Sequence, residues 1–313
     1  MRRAVRGGLG LGLCLLTALA LVLSGCGSRQ ASSAAGPLRV VATTSFLTDI
    51  AQNVAGSQFR VHELIPIGVD PHEFSPTPTE VATVVGSQIL IVNGGNLEGP
   101  LLPTLRNAGG DYVTVTAAAG LRPRRPKQGE PAAEQPGEPD PHFWLDPIRV
   151  ITYVSNIEHA FAVKDPKHAV TYKKNAAAYI ERLRGLDRWI RKQVATVPSQ
   201  NRKLVMDHLS HGYFADRYGF RIVGAVLPSV SSEASTSAAS LAALVSTIHD
   251  EHVKVVFVDL AENPALARQV ADAAHVKVVT DLIDHSLTGP GGPAPTYLTM
   301  MRYDTRVIVN ALR

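Results

Sequence analysis

The segment Gln88-Ile89-Leu90-Ile91-Val92 decides the fold class of this 313-residue chain. Four apolar residues in a row, three of them β-branched, predict a strand whose two faces are both buried, as in a parallel sheet covered by helices. Further strand-like runs occur at Leu38–Thr43, Arg60–Ile65 and Tyr112–Val115, and helical patterns separate each run from the next. This alternation predicts an N-terminal α/β lobe over residues 38–163.

The same alternation returns near the C-terminus. Strand-like runs at Lys203–Met206, Arg221–Ala225, Lys254–Val258 and Val276–Val279 are again separated by helical patterns. They predict a second α/β lobe over residues 199–313. The expected fold is therefore two similar lobes, each a parallel-sheet α/β sandwich, although their sequences do not visibly repeat.

One long helix is expected to join the lobes over residues 164–198. Asp165 is a suitable N-cap with Pro166 at the first helical position, and Pro198 ends the run. At about 1.5 Å per residue such a helix is roughly 48 Å long, enough to run along both lobes and to restrict hinge motion. Apolar residues recur along it at steps of three and four: Tyr172, Ala176, Tyr179, Leu183, Leu186, Ile190, Val194 and Val197.

The N-terminus has the pattern of an export signal. Arginines precede an apolar run from Leu9 to Leu23, which is about the length of a secretory signal and short for a membrane span. The run ends in Leu23-Ser24-Gly25-Cys26, which resembles a bacterial lipobox. We expect residues 1–25 to be a lipoprotein signal peptide, Cys26 to carry lipid, and residues 26–37 to form a flexible tether. The protein would then be extracytoplasmic and anchored to the cell membrane.

Cleavage at this position changes both charge and cysteine content. Residues 1–25 hold three arginines and no acid, so their removal lowers the net charge from +4 to +1. Nothing in the remaining charge pattern indicates nucleic-acid binding. Because Cys14 lies in the signal and Cys26 is the anchor, the folded part has no disulfide and no thiolate. Any metal must be held by nitrogen and oxygen atoms.

Such ligands stand at regular intervals along the chain. Each lies beside a predicted strand end or helix start, where open α/β folds place their binding loops. Three imidazoles and one carboxylate are suitable ligands for a divalent transition metal. They lie 70, 66 and 73 residues apart: His72, His142, His208 and Asp281.

Spacing alone leaves rivals for two of these positions. His208 and His211 lie three residues apart and could share a helix face. Asp281 competes with Asp284 and His285 in the same predicted loop. The intervals therefore predict the segments that supply the ligands more firmly than the individual residues.

The stretch 117–141 has a composition unlike the rest of the chain. It mixes six prolines with arginine, lysine and glutamate, and it contains no histidine. Such a sequence does not bury a core, so we expect a mobile surface loop.

Four motifs resemble those of the zinc- and manganese-binding receptors of bacterial ABC transporters, the cluster A-I family. The matching segments are Asp70–Phe74, Asp140–Pro147, His208–Tyr218 and Thr280-Asp281, and the similarity covers roughly Leu38–Arg313. The resemblance implies one metal between two lobes joined by a long helix. It also implies His208 over His211 and Asp281 over Asp284 as ligands.

The resemblance further implies a function without catalysis. The receptor would be a monomer that captures a metal as cargo and delivers it to an ABC permease and its ATPase. His208 stands where manganese-binding relatives commonly have glutamate, and three imidazoles with one carboxylate suit near-tetrahedral Zn²⁺. Mn²⁺ or Fe²⁺ is the alternative cargo. A zinc hydrolase, with Glu73 as its base, is the alternative from another class.

Overall fold

The computed structural model of the chain describes residues 36–131 and 138–313. The predicted signal peptide 1–25, Cys26 and nearly all of the tether 26–37 lie outside the described residues. Within the described part of the chain, no helix is long and apolar enough to cross a membrane.

The N-terminal lobe is built on a parallel sheet of four strands in the order β2-β1-β3-β4. Val40 of β1 lies beside Val61 of β2 on one side and Ile89 of β3 on the other. All four residues of β3 are buried, as the apolar run at its centre predicts. Its strands and helices are β1 (Val40–Ala42), α1 (Ser45–Ala55), β2 (Val61–Glu63), α2 (Pro78–Val85), β3 (Ile89–Val92), α3 (Leu101–Ala108), β4 (Val113–Thr116) and α4 (Val150–Lys164).

The C-terminal lobe repeats this topology. Its sheet is also parallel, with the order β6-β5-β7-β8. In each sheet the lobe's first strand is an inner strand and its second strand forms one edge. The third and fourth strands lie on the other side of the first, so the direction in which strands are added reverses after the second strand. Crevices at such switch points, outside the carboxyl ends of the strands, are where open α/β folds bind ligands. Its elements are β5 (Lys203–Met206), α6 (Gly212–Tyr218), β6 (Arg221–Ala225), α7 (Ala238–Asp250), β7 (Val255–Asp259), α8 (Ala265–Ala274), β8 (Lys277–Leu282) and α9 (Tyr297–Leu312).

A long helix, α5 (Ala169–Val194), joins the lobes and follows a short 3₁₀ turn at Pro166–His168. It packs against α1 and α4 of the first lobe and against α9 of the second. Its buried apolar side chains lie at the positions that the periodicity predicts, from Tyr172 to Val194. One apolar core therefore continues from β1 along α5 to α9. This architecture confirms the two parallel-sheet lobes and the joining helix.

The stretch 117–141 is closely associated with both lobes in its described part. Ala117 and Ala118 are buried against the first lobe, and Leu121 packs on the same core. Arg124 instead contacts α6 of the second lobe. The composition of this stretch indicated only an exposed loop and gave no sign of these contacts.

Candidate metal centre

Four buried histidines meet between the two lobes. A ring nitrogen of each lies within 4.8 Å of those of the other three. The Nε2 atom of His142 lies 3.4 Å from that of His72 and 3.3 Å from those of His208 and His285. Three of the rings come from loops that follow β2, β5 and β8, and His142 lies directly before the short 3₁₀ helix Phe143–Leu145. Each lobe supplies two of them.

The spacing of these nitrogens matches the coordination shell of a small cation. A tetrahedral zinc ion with Zn–N bonds of about 2.0–2.1 Å sets its ligand nitrogens about 3.3–3.4 Å apart. Hydrogen bonding cannot explain the arrangement, because one Nε2 atom carries a single proton or a single lone pair and His142 has three such neighbours. Lone pairs that converge in a buried space repel one another unless a cation lies between them. The four nitrogens are therefore placed so that they could hold a metal ion.

Aspartates hold the two histidines of the first lobe in place. The backbone N–H of His72 donates to Oδ1 of Asp70 at 2.8 Å. In the second loop, Oδ1 of Asp140 accepts from the backbone N–H of His142 at 3.0 Å and lies 2.9 Å from Nδ1 of the ring. A carboxylate at Nδ1 holds the proton there and leaves Nε2 free to bind a metal.

The second lobe uses an aspartate directly before each histidine. Oδ1 of Asp207 accepts from the backbone N–H of His208 at 2.7 Å and lies 3.1 Å from its Nδ1. Oδ1 of Asp284 lies 2.9 Å from Nδ1 of His285. Asp284 and His285 receive further support from Asp259, whose Oδ2 accepts from the backbone N–H of Asp284 at 2.7 Å. Three of the four rings therefore have a carboxylate within 3.1 Å of Nδ1.

Trp144 closes the site on one side and connects the two lobes. Its ring stacks on Phe46 with the centroids 4.5 Å apart and lies 5.2 Å from the ring of His142. Its indole N–H donates to the carbonyl of Asp284 at 2.7 Å. The indole thus keeps water from the His142 side of the cluster and fixes the loop that carries His285.

Burial and neighbouring charges shift the pKa values of the clustered histidines in opposite directions. Burial, and then the neighbouring histidines, hold the pKa of His142 well below its ordinary value. Burial and His285 lower the pKa of His72 to about 3. Burial also acts to lower the pKa of His285, but Asp284 and Asp259 outweigh it and raise that pKa well above its usual range. Because only a neutral ring binds a metal, the carboxylates beside His285 favour the protonated form, which does not bind.

The structure places Asp281, the predicted fourth ligand, outside the histidine cluster. Asp281 is exposed, and its Oδ2 accepts a hydrogen bond from the hydroxyl of Tyr303 at 3.0 Å. It is absent from the cluster because β8 continues through Leu282, so the chain reaches the carboxyl edge of the sheet only at the residues that follow. His285 occupies the fourth position instead. A signal for it was present in the sequence, since Asp284-His285 repeats the Asp207-His208 pair.

Two rejected candidates have other surroundings. His211 is buried, but its Nδ1 lies 2.9 Å from the hydroxyl of Ser210 and 3.3 Å from Oδ2 of Asp284. It supports the loop of His285 from behind and is not one of the four clustered rings. Glu73, the base that the hydrolase alternative needs, is exposed to solvent beside His72.

Comparison with known proteins gives consistent matches. A sequence profile described as zinc-uptake complex component A, periplasmic (ZnuA), matches residues 40–311. The manganese-binding lipoprotein MntA of Bacillus subtilis is 30% identical over 93% of this chain and 95% of its own. The iron-binding protein YfeA of Yersinia pestis is 29% identical, with coverage of 86% and 85%. The periplasmic zinc binding protein TroA of Treponema pallidum shares the fold, with a TM-score of 0.79 at 24% identity over 88% and 99% of the two chains.

Proposed function

The chain belongs to the zinc-uptake complex component A family of metal-binding ABC transporter components, and from this premise we propose that it captures Zn²⁺ outside the cytoplasm. Members of the family are substrate-binding transport proteins and not enzymes, so a hydrolase role for Glu73 is excluded. The proposed ligands are His72, His142, His208 and His285. In the proposed function the metal ion is bound and released without any chemical reaction.

The observation that supports zinc is the convergence of four imidazole nitrogens, with the Nε2 of His142 3.3–3.4 Å from the other three, the spacing of a tetrahedral zinc shell. No carboxylate oxygen is part of this set within the described residues. Four nitrogen donors in a tetrahedron suit Zn²⁺. Mn²⁺ favours oxygen ligands and a higher coordination number, so the same site would hold it less well.

A manganese or iron receptor is the second candidate. It is favoured by the relatives, among which MntA is named for manganese and YfeA for iron. Both relatives align over most of the chain, so their cargo is a fair guide to the class of metal. The donor set favours zinc over either metal, because sites built from nitrogen and oxygen bind Mn²⁺ and Fe²⁺ less tightly than Zn²⁺.

The proposed route of delivery follows from the N-terminal pattern and the family. Lipid on Cys26 would hold the receptor at the outer face of the membrane, and residues 26–37 would give it reach. An ABC permease and its ATPase would accept the ion, and a monomeric receptor suffices because each chain supplies all four rings. Several relatives are named lipoproteins, which supports the anchor.

A competition titration tests the cargo. The chain from Gly27 onward, stripped of metal, is expected to bind one Zn²⁺ that a hundredfold excess of Mn²⁺ does not displace. The physical reason is the all-nitrogen donor set, which suits the intrinsic preference of zinc. Calorimetry with each metal alone, followed by displacement, measures both affinities. Displacement of zinc at a modest excess of manganese would contradict the zinc proposal and leave the manganese alternative.

The aspartate behind His142 offers a second test. Asp140→Asn keeps the shape of the side chain but loses its charge, so zinc affinity is expected to fall about 10- to 100-fold. Burial raises the pKa of Asp140 to about 7, so folding favours its neutral form at neutral pH, and removing the charge should not lower the stability of the metal-free protein. Calorimetry and thermal melts measure the two effects.

The matched control is Asp165→Asn. Asp165 makes the same kind of contact, 2.5 Å from Nδ1 of His168, at the start of the long helix and away from the cluster. The zinc affinity of the Asp165→Asn variant should equal that of the unmodified protein. Equal affinities for the Asp140 and Asp165 variants would mean that Asp140 does not orient a metal ligand.

A further inference from the structure

Arg124 crosses from the first lobe to the second in the segment Leu121–Glu130, which we name the strap. Its side chain is only 9% exposed. Nε lies 3.1 Å from Oδ2 of Asp216 on α6, and Nη2 contacts both Asp216 and Glu130. A guanidinium held by two carboxylates in this way is a fixed, directional contact, unlike an exposed ion pair.

The surface of α6 is shaped to receive this side chain. A Cβ atom on Gly212 would meet Cδ of Arg124 at 2.7 Å, so the close approach requires glycine there. The backbone N–H of Arg124 also donates to the hydroxyl of Tyr213 at 2.9 Å. The strap is therefore attached to α6 through both its backbone and its side chain.

Tyr213 transmits this attachment to the histidine cluster. Its hydroxyl donates to the carbonyl of Asp140 at 2.8 Å, and Asp140 holds both the backbone and the ring of His142. The tyrosine ring packs on Phe143, next to that histidine, with the centroids 4.9 Å apart. An unbroken series of contacts runs from Arg124 through Tyr213 and Asp140 to His142.

We propose that the strap is an inter-lobe fastener and that Arg124 is a positioning residue that fixes His142 and slows the loss of metal. The inference rests on the proposed function, because it assigns a role in holding the same cargo. His142 contributes the nitrogen that neighbours the other three. A small displacement of its loop therefore disturbs all three of these neighbouring pairs. Tyr213, to which the strap is attached, is one of the residues that hold that loop against the second lobe.

The test is the rate at which zinc leaves the purified chain when a strong chelator is added in excess. Arg124→Ala is expected to release zinc about tenfold faster or more, as is typical when support for a metal ligand is lost. Tyr213→Phe keeps the ring but removes both hydrogen bonds, and it should accelerate release in the same way. Because the two residues act in series, the double variant should release zinc no faster than about twice the faster single variant.

The matched control is Arg125→Ala, which removes the same kind of side chain from the adjacent, exposed position. Its release rate should stay within twofold of the unmodified protein. Thermal melts separate positioning from general stability. A positioning role lowers the midpoint of the zinc-loaded Arg124→Ala protein more than that of the metal-free protein, whereas a merely structural role lowers both equally.

The outcomes distinguish this inference from the function on which it rests. If the unmodified chain binds no zinc, the proposed function fails first. If it binds zinc and Arg124→Ala releases it at the unmodified rate, the strap proposal is wrong. Should Arg124→Ala fail to fold, Asp216→Asn removes the partner on α6 instead, and an unchanged release rate in that variant overturns the proposal equally.

Discussion

Replacing His142 with alanine is expected to lower zinc affinity about a hundredfold to a thousandfold. Zinc held by four protein ligands is worth about 10–16 kcal/mol, so one ligand of four accounts for about 2.5–4 kcal/mol. His142 is the sharpest choice, because its Nε2 lies within 3.4 Å of the other three. Calorimetric titration of the metal-free variant with zinc, beside the unmodified protein, measures the loss.

The same variant should lose the stabilisation that zinc gives. A ligand at a hundred times its dissociation constant raises the free energy of unfolding by about 2.7 kcal/mol, and the variant no longer reaches that ratio. His249→Ala is the control, because His249 lies near the end of α7 and outside the cluster. An unchanged affinity in His142→Ala, or an equal loss in His249→Ala, would contradict the four-histidine site.

Replacing His285 with aspartate is expected to reduce the preference for zinc over manganese by tenfold or more. The change puts one carboxylate among three imidazoles, and oxygen donors suit Mn²⁺ better than nitrogen does. Zinc affinity should fall as well, because the shorter side chain lies beside Asp284 and Asp259, whose charges disfavour a third carboxylate. Parallel titrations with the two metals give the ratio directly.

His285→Ala separates ligand loss from ligand exchange. It removes the nitrogen without adding oxygen, so it should weaken the binding of both metals. Neither the affinity for manganese nor the ratio of manganese to zinc affinity should rise. If the aspartate variant kept the original ratio of affinities, the fourth ligand would not govern the choice of metal. The proposal that the all-nitrogen set selects zinc would then be lost.

The fold was predictable because its signals are local. The apolar run at Ile89–Val92 and the three- and four-residue steps from Tyr172 to Val194 report burial directly, and both elements form where these patterns indicate. Three clustered rings were also found, since His72, His142 and His208 each follow a recognisable boundary. Their loops meet because parallel strands end at the same edge of a sheet.

The fourth ring was missed because a strand end is hard to locate from sequence. The predicted strand ended at Val279, whereas β8 continues to Leu282. Because the strand is three residues longer, Asp281 lies within it at an exposed position, and the loop that follows contains His285. The pairing of each clustered histidine with an aspartate one or two residues earlier was a better guide than the strand boundary. It appears at Asp207-His208 and again at Asp284-His285.

The strap was missed for a different reason. Proline and charge in the stretch 117–141 describe a segment that builds no core of its own, and that much is consistent with the structure. Such composition is silent about docking on another part of the chain, which here depends on one arginine and one glycine far apart in sequence, Arg124 and Gly212. Contacts between distant polar residues have no periodic signature.

The continuous core along α5 has a consequence for folding. The helix buries apolar side chains against α1 and α4 of one lobe and α9 of the other, so neither lobe covers the whole stripe by itself. A fragment cut after Val194 would leave the residues that face α9 exposed to water, and a fragment that starts there would lack the partner of α9. The two lobes are repeats in topology but share one apolar core along α5, so neither is expected to keep its full stability when the other is cut away.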